Sequence, residues 1–489
     1  MASQLFATKS IDELHEQESS GNQLRRALTA TQLTLLGIGG IIGTGIFVLT
    51  GVAAAQHAGP ALALSFILAG IGCTFAGLCY AEFASMIPVS GSAYSYSYAT
   101  LGEGIAWFIG WNLVLEYLFA VATVSVGWSA YAVSLLEQLH IHIPAALSNA
   151  PFGPGADELH IVRTGAILNL PAMAIVAAIS AICYIGIKQS AAFNSVIVAI
   201  KVTVIVLFIV FGLSYIDTAN WHPFIPPNTG VSGAFGWDGL VRASGIIFFA
   251  YIGFDAISTA AQEAKNPQRD MPIGMLASLV ICTILYVAVA LVLTGMVNYR
   301  ELDVAAPVAL AIDKHAQLHW LGIPVKLGAV CGITSVMLVM TIAQARIFFA
   351  MARDGLLPPV FGRVHPKFRT PSTGTIVTGV SAMIIGGLFP VKLLGEVVSI
   401  GTLAAFVTVC IGILVLRRTR PDLPRPFRTP WPWFTCIAGA LVCGYMMYSL
   451  GVATWWRLGI WTVIGVLVYV LYGYQHSKLR AGVVTAAAA

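Results

Sequence analysis

Twelve apolar stretches, each near the ~20 residues that a helix needs to cross a lipid bilayer, follow one another along this chain. They run over residues 29–52, 61–86, 104–135, 170–187, 193–213, 239–262, 272–297, 324–350, 374–389, 393–416, 429–449 and 455–474. The chain as a whole is 58% apolar and 10% charged, against roughly 45–50% and 25% in soluble domains. No single soluble core hides that much apolar surface, so lipid must be the main solvent. Lipid offers no partner to a backbone N–H or C=O, and a helix supplies its own. The expected fold is therefore an all-α integral membrane protein with twelve transmembrane helices.

The breaks between the runs carry turn chemistry, as in His57-Ala58-Gly59-Pro60, Ile87 to Ser92, Lys265-Asn266-Pro267 and the Arg/Pro-rich segment Arg417 to Pro432. An even number of spans puts both termini on one side. With those termini inside, the cytoplasmic segments hold 17 of the 26 lysines and arginines and the outer segments six. Lys201, Arg242 and Arg346 lie in or near the spans. That bias predicts a protein of the cell membrane with cytoplasmic tails at 1–27 and 475–489. The first 27 residues hold no short apolar region with a cleavage site, so the first span is expected to act as its own insertion signal. All eight cysteines fall inside apolar stretches, without CxxC spacing, and read as small core residues.

Two spans look interrupted. The first contains Gly37-Ile38-Gly39-Gly40-Ile41-Ile42-Gly43-Thr44-Gly45, and the sixth contains Phe248-Phe249-Ala250-Tyr251-Ile252-Gly253-Phe254-Asp255. They stand five helices apart, where paired broken helices fall in two inverted five-helix repeats. Small residues also let helices pack closely, and Gly39/Gly43 fits GxxxG. Five glycines with a threonine exceed what packing asks, which favours an unwound site.

A broken helix exposes unpaired N–H groups and a positive dipole end, suited to a carboxylate. Gly43, Thr44 and Gly45 would provide them, glycine allowing close approach and the Thr44 hydroxyl able to donate. Carbonyls freed at Ile41, Phe249, Ala250 and Ile252 would receive an ammonium, and the Phe249 ring could cover the ligand. Together they replace the water that an α-amino acid loses at midplane.

Charged groups inside spans are expensive and functional by default. Lys201 lies eight residues after Phe193, roughly 12 Å into the core by helix rise. It is the leading candidate for a proton carrier; the plain alternative is a permanently charged lysine held by carbonyls. Glu116 and Asp255 are further proton-coupling candidates that could equally be structural hydrogen-bonding carboxylates. Glu82, Glu263 and Arg346 sit near cytoplasmic ends, where snorkelling or gate ion pairs account for them. Tyr94, Tyr96 and Tyr98 read as an interfacial aromatic belt.

These residues resemble a known family. The run Gly39-x-x-x-Gly43-Thr44-Gly45-Ile46-Phe47, the stretch Tyr80-Ala81-Glu82-Phe83-Ala84 through Pro88-Val89-Ser90-Gly91-Ser92-Ala93-Tyr94, and Phe249-Ala250-Tyr251-x-Gly253-Phe254-Asp255 followed by Asn266-Pro267-x-Arg269-x-Met271-Pro272 are similar to the amino acid–polyamine–organocation (APC) superfamily. Bacterial members of its cationic amino acid transporter branch match best, from about residue 25 to 475. The resemblance implies a LeuT-like fold working by alternating access, with repeats at 28–213 and 239–416 and peripheral helices at 429–474. It implies substrate contacts at Ile41, Thr44, Gly45, Phe249, Ala250 and Ile252. It also implies that Lys201 occupies the place of a sodium ion in sodium-driven cousins, opposite Thr334-Ser335. Many relatives carry Glu-Glu where this chain has Gln262-Glu263, which weakens a gate role for that pair.

Vertebrate cationic members are similar around Ala343-Gln344-Ala345-Arg346 but have a small residue where Met340 stands. A methionine there should shorten the side-chain pocket, which favours small neutral amino acids such as alanine over arginine or lysine; with Lys201 as the proton carrier, the expected activity is their proton-coupled uptake. The alternatives of the same fold are an arginine or lysine transporter, an exchanger, or coupling to sodium. A membrane enzyme would want His, Asp and Glu clustered inside spans, but all ten histidines fall in predicted tails or loops. A channel would want a ring of like segments or a polar pore. The expected partners are an amino acid, protons and the bilayer, with no cofactor, metal or nucleic acid called for.

Overall fold

The computed structural model describes residues 5–9, 28–86, 92–155, 160–186 and 191–480, without the side chains of 191–194, Thr259 and Gln262. Arg25, Arg26, Lys188, the Gln262 side chain and the Pro88 to Gly91 part of the second motif lie outside the described residues.

Each of the twelve apolar runs is helical. The first divides into α1 (Ala30–Ile41) and a widened helical run, α2 (45–58). Then follow α3 (Leu62–Met86), a short helix α4 (Ser92–Thr100), α5 (Glu103–Gln138), α6 (Leu170–Ile185) and α7 (Ala191–Gly212). The sixth run divides into α8 (Gly236–Ile247), a tight turn Phe248–Tyr251 and a 3-10 run Asp255–Glu263. The remainder are α9 (Pro267–Met296), α10 (His319–Arg353), α11 (Ser372–Leu388), α12 (Val391–Thr419), α13 (Pro432–Ser449) and α14 (Val452–Val468). Among the described residues, eight helical segments are long and apolar enough to cross a membrane by length and composition. Ala30–Ile41, Leu170–Ile185 and Ser372–Leu388 are shorter apolar helices.

Local chemistry sets the ends. Thr29 and Gln32 form a reciprocal capping box at the start of α1, and prolines open α6, α9 and α13 where a missing N–H costs nothing. Long helices then pair: α5 runs along α10, and α3 along α9. Trp128 Nε1 donates to Thr334 Oγ1 at 2.9 Å between α5 and α10. The broken helices lie between these pairs, with α7 against α1 and α10.

Two expectations change. Neither His57 nor His319 is in a loop: α2 continues through Ala58, with the His57 ring buried and its Nδ1 2.6 Å from the Gly233 carbonyl, and His319 opens α10. Tyr94, Tyr96 and Tyr98 do not form an interfacial belt, because all three are buried on α4. Their hydroxyls and rings find better partners inside: Tyr94 donates to Asp354 and Tyr98 to Glu103, each at 2.8 Å, while Tyr96 stacks on Phe83. All eight cysteines are free thiols and seven are buried, in line with small core residues.

Candidate substrate and coupling site

Both breaks stand where glycine permits them. Ile42 turns extended (ψ 104°) at the end of α1, and Ile252 does so (ψ 135°) after the tight turn. Gly253 then adopts φ +115°, a conformation that a side chain rarely tolerates. The broken spans touch on either side of these points. A Cβ on Gly253 would lie 2.6 Å from the Gly40 carbonyl oxygen, and one on Gly45 would lie 2.3 Å from Ala250 Cα. The start of the first span and the end of the sixth are also joined, since Leu28 N–H donates to the Glu263 carbonyl and Lys265 N–H to the Leu28 carbonyl, both at 2.8 Å.

Between the crossings lie the groups that suit a zwitterion. Among the described residues, no backbone hydrogen bond outside the helices uses the N–H groups of Gly43, Thr44 or Gly45, or the carbonyl of Ile252. The other carbonyls are engaged. Phe249 C=O accepts from Ile252 N–H at 3.2 Å. The Tyr286 hydroxyl sits 3.0 Å from the Ile41 carbonyl and 2.9 Å from that of Ala250, linking the two broken spans. Met340 covers this region from α10, its Cε 3.0 Å from where a Gly253 Cβ would stand, and Phe249, in the tight turn, is buried.

Thr44 and Gly43 point away from that space. The Thr44 hydroxyl donates to the Val124 carbonyl on α5 at 3.3 Å, and its side chain fills the room left by Gly127. The missing side chain of Gly43 faces Val336 at 3.0 Å. Neither side-chain position faces that space, which leaves backbone N–H as the group these two residues offer to it.

Lys201 is fully buried on α7, and its ammonium uses all three of its protons. It donates to the carbonyls of Gly39 at 2.5 Å and Ile42 at 3.0 Å, and to Ser335 Oγ at 3.2 Å. Ser335 in turn donates to the Gly332 carbonyl, leaving a lone pair for the lysine. The Lys201 methylenes pass over Gly332, where a Cβ would come within 3.2 Å of them. One side chain thereby joins α7, the end of α1 and α10.

Glu116 and Asp255 belong to a different layer. They lie within each other's electrostatic reach, with Tyr80 and Tyr117 beside them. Tyr117 donates to Asp255 Oδ2 at 2.5 Å, while Asp255 Oδ1, Glu116 Oε1 and Tyr80 Oη find no partner among the described residues. Glu82 is taken up elsewhere, held by Arg417 Nη2 at 2.6 Å and Nε at 3.0 Å.

Comparison with known proteins decides what this arrangement belongs to. A family model described as amino acid permease matches residues 28–474, nearly the whole chain and both breaks. The chain belongs to the amino acid permease family. It is 48% identical to the methylthioribose transporter of Bacillus subtilis (strain 168) and 46% to that organism's branched-chain amino acid permease BcaP, in each case over 98% of this chain and 100% of the relative. It is 38% identical to the mitochondrial cationic amino acid transporter 3 of Arabidopsis thaliana, over 83% of this chain and 64% of that protein.

This permease is thus a multi-pass membrane protein of the APC superfamily and not an enzyme. Of the residues singled out from sequence, its structure gathers Ile41, Gly45, Phe249, Ala250, Ile252 and Met340 around the two breaks and sets Lys201 behind α1. Sequence reasoning misses Tyr286, because nothing in an apolar helix marks one tyrosine as facing two broken backbones.

Proposed function

We propose that this permease carries neutral L-amino acids inward together with a proton, by alternating access of two inverted five-helix repeats, 28–213 and 239–416, flanked by peripheral helices at 429–474. The three-way bridge of Lys201 carries the coupling part of this reading. It ties the break of the first span to α10, so its charge state and the shape of the substrate site depend on each other. The N–H groups at Gly43 to Gly45 and the Ile252 carbonyl, which no backbone hydrogen bond outside the helices uses among the described residues, suit a carboxylate and an ammonium. Met340 over Gly253 favours short apolar side chains such as alanine, and the branched-chain relatives extend that range to valine and leucine.

A second reading has its own support, since the relative at 48% identity is named for methylthioribose, which is not an amino acid. Radiolabelled uptake into proteoliposomes separates the two. Alanine or valine, driven by an imposed pH gradient without sodium, should accumulate, while arginine and methylthioribose should not. Strong preference for either of the latter overturns the neutral amino acid assignment.

Met340→Ser replaces a three-atom end by a hydroxyl and opens the side-chain pocket. Such a change in a side-chain pocket is worth about 10-fold or more in discrimination. Uptake of arginine relative to alanine should rise by that factor, and an unchanged ratio would place the side chain elsewhere.

The charge bias of the loops further supports a cell-membrane location with both termini cytoplasmic. Single cysteines placed at 418–428 should react with impermeant reagents only from inside. Labelling from outside would invert the topology and undo the repeat assignment.

A further inference from the structure

We propose that the connection between α12 and α13 is a binding site for the phosphate headgroup of an anionic phospholipid. Five arginines lie between Arg417 and Arg428, and they divide into two sets. Arg417 and Arg425 turn inward to the fully buried Glu82 of α3. The segment is pinned there by further bonds: Thr429 N–H donates to Glu82 at 2.8 Å, and Phe427 N–H to Ser85 Oγ at 3.3 Å. Arg425 also donates to the carbonyls of Arg420, Pro421 and Leu423, folding the loop around itself. The result is a platform of fixed shape.

Arg418, Arg420 and Arg428 make up the second set and face outward, exposed. No ion pair among the described residues uses them, and the one other carboxylate in the loop is the exposed Asp422. Arg418 stacks on Trp433 with its guanidinium 4.7 Å from the ring centroid. The uncapped start of α13 adds its positive dipole end to the same edge.

A lipid fits this edge better than a free ion because an apolar track leads away from it. Trp433, Phe434, Ile437 and Leu441 are exposed at 51%, 62%, 46% and 68%. Phe434, Ile437 and Leu441 follow the i, i+3, i+7 spacing of one helix face. A phosphate on Arg418 would place acyl chains along that stripe. In the proposed orientation this is the cytoplasmic edge, where basic clusters beside a span attract anionic lipid.

The test uses full-length protein in detergent, titrated with phosphatidylglycerol or phosphatidylcholine of matched chains and read by native mass spectrometry. Wild type should bind phosphatidylglycerol several-fold more tightly, and added salt should weaken that preference. The variant R418Q/R420Q/R428Q keeps both arginines on Glu82 and should lose about fivefold in phosphatidylglycerol affinity for each arginine removed. R418K/R420K/R428K keeps the charge and should retain the preference, which guards against a folding artefact in the glutamine variant. Equal binding of the two lipids by wild type, or undiminished preference in the glutamine variant, overturns the proposal. Binding of soluble glycerol phosphate as tight as that of the lipid also overturns it, since the site would then be for the ion.

Discussion

Lys201→Met should abolish gradient-driven accumulation while leaving part of the substrate exchange intact. A proton moving inward gains roughly 2.3 kcal/mol per 100 mV of membrane potential, and a pH unit adds about 1.4 kcal/mol. A neutral substrate carried with one proton could therefore concentrate several hundred-fold in wild type, and the variant should fall to about unity. The linkage requires a proton that binds the two conformations unequally, since equal binding shifts nothing.

The structure offers one state in which the ammonium is fully solvated by protein, with Gly39, Ile42 and Ser335 as acceptors. We propose that inward opening pulls α1 from α7 and α10, removes those acceptors and lets the proton leave to the cytoplasm. Methionine keeps the side chain's length and removes its charge, leaving the Gly39 and Ile42 carbonyls unpaired at a cost of about 1–3 kcal/mol each. Size-exclusion behaviour must therefore be checked beside transport. Uptake under an imposed pH gradient, with and without sodium, and counterflow exchange are the measurements. Full accumulation in the variant moves coupling to Glu116 or Asp255, and an absolute sodium requirement in wild type rules out the proton mechanism.

Lys201 is legible in the amino-acid sequence, because a charge eight residues inside an apolar run has few explanations. Helix positions are legible for a related reason: lipid demands length and apolarity, and both are written locally. The break at Gly43-Thr44-Gly45 announces itself through glycine. Features that depend on which helix stands opposite are not legible. Thr44 turns to Val124, Gly43 faces Val336, and Tyr286 closes on Ile41 and Ala250 only because α5, α10 and α9 arrive there in a particular register. The same holds for α4, whose tyrosines read in sequence as an interfacial belt and are drawn inward by Asp354 and Glu103. Residues 5–9, which read only as part of the N-terminal tail, pack against the helices through Lys9, which pairs with Asp354 at 2.6 Å.

The closest contact between the broken spans yields the other large effect. Gly45→Ala would put a methyl 2.3 Å from Ala250 Cα, 2.4 Å from its Cβ and 2.9 Å from its backbone nitrogen. Carbon atoms prefer separations of about 3.5–4.0 Å, so one of the two spans must move by more than an ångström. It cannot move freely, because Gly40 and Gly253 cross close by and Tyr286 links both backbones. A shift of about 1 Å in positioning groups can cost 100-fold in turnover. Substrate exchange should drop by about that factor in protein that still inserts and runs as a single species. Gly43→Ala provides the comparison: its methyl meets a Val336 side-chain carbon at 3.0 Å, which can give way, and its loss should be far smaller. Adding Ala250→Gly to Gly45→Ala removes the 2.4 Å contact but leaves the one to Cα, so activity should return only in part. Near-normal exchange by Gly45→Ala alone would mean that the substrate does not depend on how these two spans meet, and the binding site would have to be sought away from the breaks.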